Sequence, residues 1–145
     1  MGVKTYLMTT AASFLKNNYL VFSKVAYSIL IGVVGTALLV LFLTFLIESV
    51  QTLNFIPWII AFTSAMTGYS LLDKTRDRLK RKEISSVCAG VLTVTISFIV
   101  LNLIFVLSNG EYLLTRWDLL LFLVLGVACS ELGAVLAIKY FNLKR

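Results

Sequence analysis

The chain has 145 residues, room for one domain of ordinary size, and a formal net charge of +6. Apolar residues make up 59% of it and charged residues 14%, whereas a soluble domain carries about 25% charged residues. Such a chain cannot cover a water-facing surface, which excludes a cytosolic globular protein, a secreted disulfide scaffold and a disordered regulator.

Residues 1–24 read as an amphipathic helix lying in a membrane interface. At about 100° per residue, Val3, Leu7, Ala11, Phe14, Leu15, Val21 and Phe22 share one face, and Thr5, Thr9, Ser13, Lys16 and Asn17 lie opposite. The segment does not read as a secretory signal, because the apolar stretch that follows is too long and no A-x-A-like site is evident. The Met1-Gly2 opening does not meet the myristoylation pattern, since position 6 is Tyr rather than Ser or Thr.

Charged residues then cut the chain into long apolar runs. There are 23 uncharged residues between Lys24 and Glu48, 24 between Glu48 and Asp73, and 27 between Glu83 and Glu111. The 20 residues between Asp118 and Lys139 are broken only by Glu131. A helix needs about 20 apolar residues to cross the hydrocarbon of a bilayer. Four spans follow, at about 25–47, 55–72, 86–107 and 117–139. Membrane strands would alternate in polarity, and these runs do not. The expected fold is all-α, a single polytopic membrane domain over 1–145 built as a four-transmembrane-helix bundle. Pro57, the only proline, reads as the start of the second span, where its missing N–H costs least.

Lys and Arg set the expected orientation. Twelve of the 13 basic residues precede the first span, lie between spans two and three, or follow span four; Arg116 alone lies on the other side. The positive-inside rule puts both termini and the middle loop in the cytoplasm. Trp58 and Trp117 then fall near the outer interface, where indoles prefer to sit. The localisation implied is a bacterial or archaeal plasma membrane.

Lipid is as apolar as leucine, so helices associate through close approach at small residues and through buried polar contacts. Gly32 and Gly35 in span one, Gly68 in span two, Gly90 in span three, and Gly126 and Gly133 in span four mark such packing faces. They serve packing within the chain or self-association. Four thin helices leave much surface to lipid, and a homo-oligomer is the expectation.

Glu131 is the most informative residue. It lies past the middle of the fourth span, where a bare carboxylate costs several kcal/mol. On the helical wheel it points away from Ser130 and Gly133, so span four has one face for its own bundle and another for a neighbour or a cavity. Three roles fit: a structural acid hydrogen-bonded to Asn102, Thr93, Thr95, Ser97, Thr63 or Ser64; a proton- or cation-coupled transport site; or a ring of glutamates between subunits. Glu131, Asn102 and Ser130 form the candidate intramembrane polar set.

Residues 73–83 carry nine charges in eleven positions, with Lys74, Arg76, Arg78, Lys80, Arg81 and Lys82 against Asp73, Asp77 and Glu83. The stretch fixes topology, touches anionic headgroups of membrane lipids, and offers a docking surface to a cytoplasmic protein. Nucleic acid is not an expected partner, because no stacking aromatics are interleaved. The absence of histidine excludes imidazole proton relays, haem ligation and most zinc sites. Cys88 and Cys129 form no C-x-x-C pair, and no phosphate loop is present. No enzyme activity, cofactor or metal is expected. The leading reading is a non-enzymatic oligomeric membrane subunit that anchors or signals to a cytoplasmic partner, as in a stress or phage-defence pair. The alternative is a small oligomeric ion channel or proton-coupled transporter using Glu131.

Overall fold

The computed structural model describes residues 2–47, 49–75, 82–110, 112 and 114–142, with side chains from Tyr19 onward except at 49, 50, 108 and 109. Four helices follow one another: α1 (Gly2–Leu46), α2 (Ser49–Thr75), α3 (Lys82–Asn109) and α4 (Arg116–Tyr140). Each contains a stretch long and apolar enough to cross a membrane: Tyr19–Leu46, Gln51–Thr75, Lys82–Leu107 and Arg116–Tyr140. The fold is all-α and fits an integral membrane protein.

Local chemistry accounts for the ends between α3 and α4. Gly110, at φ 76°, takes the left-handed conformation that ends helices and that side chains resist. Its N–H donates to the Val106 carbonyl at 2.9 Å. Thr115 then opens α4. Its backbone N–H and its hydroxyl both donate to the Asp118 carboxylate, at 2.8 and 2.7 Å, half of a capping box. An acidic residue in the first turn also suits the helix dipole.

Two expectations change. An amphipathic helix of its own over residues 1–24 is not confirmed; α1 runs unbroken from Gly2 to Leu46. No glycine or proline lies between Val3 and Ile31 to let the chain turn. Pro57 does not start a helix either. It sits inside α2, which already begins at Ser49, so the second span starts earlier than 55 and the loop before it is correspondingly shorter. Proline leaves the carbonyl four residues back without its helical donor, and spanning helices tolerate that.

The helices run up and down. Thr36 on α1 meets Thr63 on α2 through their hydroxyls at 2.8 Å, and Ser28 meets Ser70 one end further along at 3.4 Å. The helices α2 and α3 pack together centrally, and α1 and α4 flank them, packing on this pair rather than on each other. Half of α2's most apolar window is buried, against 17% of α1's, which makes α2 the central helix and α1 an outer one. At the end away from Lys24 and Lys139 the core is apolar, filled by Val40, Ile56, Ile60, Leu101, Phe105 and Phe122. Toward the other end smaller clusters form, Ile29 with Leu71 and Ala89, and Leu72 with Ala134 and Ala137.

Candidate functional site

Packing between α4 and its neighbours depends on missing side chains. A Cβ on Gly68 would run into the Ser130 carbonyl oxygen, and one on Gly133 into the Ala65 carbonyl oxygen. A Cβ on Gly126 would strike Val94, and one on Gly32 would strike Thr67. A Cβ on Gly90 would come within 2.8 Å of the Ser130 Cβ, whereas one on Gly35 would make only ordinary contact with Thr63 at 3.6 Å. The α2 and α4 backbones therefore touch along two glycines, one from each helix.

Ser130 belongs to this buried face. Its hydroxyl donates to the Ser86 carbonyl at 2.9 Å, and the Ser86 hydroxyl donates back to the Ser130 carbonyl at 2.9 Å. Both serines are fully buried. Such bonds between spans contribute roughly 0.6–2 kcal/mol each. Asn102 is also buried, but at the other end of α3. Its Oδ1 accepts the Leu114 N–H at 3.1 Å and so ties the approach to α4 down onto α3.

Glu131 joins neither group. It is exposed, on a face with Leu121, Val124, Ala128, Leu132, Val135 and Leu136. The structure gives it no hydrogen bond to Asn102 or to the threonines and serines of neighbouring spans. Thr63 donates instead within α2, to the Ile59 carbonyl at 2.9 Å, and Thr95 within α3, to the Val91 carbonyl at 2.8 Å. The reading of Glu131 as a structural acid bonded inside its own bundle is corrected: the carboxyl faces outward. The candidate set Glu131, Asn102 and Ser130 is thus three separate places.

Basic residues collect at one end. Lys24 donates to the Lys74 carbonyl at 2.7 Å, capping the C-terminus of α2, where a cation suits the dipole. The Lys74 ammonium lies 3.6 Å from the centre of the Tyr27 ring, a cation–π contact. Lys82 is buried, so it is not presented on the surface. Arg76, Arg78, Lys80 and Arg81 lie outside the described residues. At the same end Phe141 stacks against Tyr69, with ring centres 6.0 Å apart, and anchors the end of α4 on α2.

An apolar groove of about 470 Å³ runs between α1 and α3, lined by Ala26, Ile29, Leu30, Val33, Val34 and Ile96. It offers no polar group to orient a ligand. Cys88 and Cys129 are free thiols. Comparison with protein-family models, with curated proteins and with solved structures finds no match for the chain.

Proposed function

We propose that the chain is a non-enzymatic, self-associating membrane subunit whose basic end binds anionic headgroups and a cytoplasmic protein. Both termini and residues 73–83 lie in the cytoplasm on this reading, and the membrane is a bacterial or archaeal plasma membrane. The observation that carries it is the charge distribution: 12 of 13 basic residues precede the first span, lie between α2 and α3 or follow α4 in the sequence, and among the described ones Lys24 meets the end of α2 at Lys74. A packed interior supports a subunit rather than a conduit within one chain, since Val40, Ile56, Ile60 and Leu101, nearly or fully inaccessible, close the far half. Residues 2–24 extend α1 at the basic end and add to the same cytoplasmic surface. A partner pair in a stress or phage-defence response would use such a surface.

Photo-cross-linking tests this. A photoreactive amino acid replacing Arg78, in intact membranes, should give a discrete adduct with a soluble cytoplasmic protein. Reversing the charges of Lys80 and Arg81 should abolish the adduct while the chain still inserts. Adducts with phospholipid alone, or adducts insensitive to charge reversal, would contradict the reading.

One observation favours a second reading. Glu131 faces outward, so several copies could line a shared pore with their carboxyls, making the chain an oligomeric channel or a proton-coupled transporter. Its mark would be ion flux in proteoliposomes that Glu131→Gln removes.

A further inference from the structure

We infer that the outward face of α4 around Glu131 binds the same face of a second copy of this chain, with the two Glu131 carboxyls paired across the interface. The inference rests on the self-associating subunit proposed above and names its contact surface.

Depth comes first. Glu131 is three residues past the middle of α4 (Arg116–Tyr140), or about 4.5 Å by helix rise. Helical side chains lean toward the helix N-terminus, so this one leans back toward the bilayer centre instead of out to the nearer interface. An exposed carboxyl there faces hydrocarbon, at a cost of several kcal/mol unless something polar covers it. The chain itself does not cover it.

The pattern around Glu131 indicates what does. Leu121, Val124, Ala128, Glu131 and Val135 are all exposed, and they follow one another at alternating intervals of three and four residues. That is the 3.5-residue period of a seam along which two helices pack side by side. Ala128, one turn before Glu131, is small enough to let two helices approach. A two-fold axis along the bilayer normal sets two α4 helices parallel and brings both carboxyls to one depth.

Self-complementarity selects a second copy over other occupants. A carboxylic acid carries both an O–H donor and a carbonyl acceptor, so two Glu131 side chains in the acid form satisfy each other and one residue type supplies both sides of the contact. A different partner would have to bring its own buried donor to this depth. The outward face of α1 makes a useful contrast: Leu30, Val34, Leu38 and Phe42 are exposed there, and lipid alone satisfies them.

Disulfide cross-linking in native membranes tests the inference. In the full chain with Cys88→Ser and Cys129→Ser, single cysteines are placed by Val124→Cys and Ala128→Cys on the α4 seam. Val34→Cys on α1 and Ile99→Cys on α3 serve as controls. Oxidation with copper phenanthroline should give several-fold more disulfide-linked dimer at the seam positions than at the controls. Glu131→Ala should reduce the seam dimer to the control level, whereas Glu131→Gln should keep it, because paired carboxamides also donate and accept. Two seam positions are used so that one poorly inserted variant does not decide the result. Equal cross-linking at all positions, seam cysteines linked only to another protein, or a dimer indifferent to Glu131→Ala would overturn the inference. The Arg78 adduct reads the opposite question, the partner at the basic end, so either proposal can fail alone.

Discussion

Gly68→Leu should detach α4 from the bundle. At Gly68 even a methyl group would overlap the Ser130 carbonyl oxygen, which belongs to the α4 backbone. A flexible side chain could swing aside, but a helix backbone cannot. The reciprocal site at Gly133, against the Ala65 carbonyl, holds the same two helices in close approach. Overpacking a well-filled core costs about 1–3 kcal/mol, and a backbone obstacle puts this case at or above the top of that range. The expected result in mild detergent is a large drop in the temperature of irreversible aggregation. Gly35→Ala supplies the control, because its neighbour is an ordinary 3.6 Å contact; it should be close to neutral. A Gly68→Leu protein as stable as the parent would mean that α2 and α4 do not touch here.

Asn102→Leu should have the next largest effect. The Asn102 Oδ1 is the acceptor for the Leu114 N–H, a buried backbone donor just before α4. Leucine keeps the approximate volume and removes the acceptor. A buried donor left without a partner costs about 1–3 kcal/mol, more than the net worth of an ordinary hydrogen bond. The loss should also be local at first: hydrogen exchange at Leu114 and across the first turn of α4 should speed up before the rest of the bundle changes. Unchanged exchange at Leu114 would remove Asn102 from this role.

Both effects depend on contacts that no single helix announces. The spans themselves were legible because charges bracket runs of 20 or more residues that are uncharged except at Glu131, and that pattern depends only on bilayer thickness. Helix starts were less legible. Ser49–Asn54 is polar enough to pass for a loop, yet α2 begins at Ser49, since a helix satisfies its own backbone donors and a short loop does not. The partnership of Ser86 with Ser130, or of Asn102 with Leu114, was out of reach for a different reason. Periodicity says which residues share a face, but nothing in one sequence gives the vertical register between two helices. Glu131 shows both sides of this. Its angular separation from Ser130 and Gly133 follows from 100° per residue, and the structure has Ser130 and Gly133 buried and Glu131 exposed. Which of several hydroxyls it would meet could not follow from the wheel, and it meets none of them.

The account rests on four crossings with the basic end inside the cell. The direct measurement is labelling of intact cells with a membrane-impermeant maleimide, using single cysteines from Arg78→Cys and Tyr112→Cys in a Cys88→Ser, Cys129→Ser background. Tyr112 is exposed on the connection between α3 and α4. The account predicts that position 112 labels in intact cells and position 78 labels only after the membrane is opened. Labelling of position 78 from outside would contradict it.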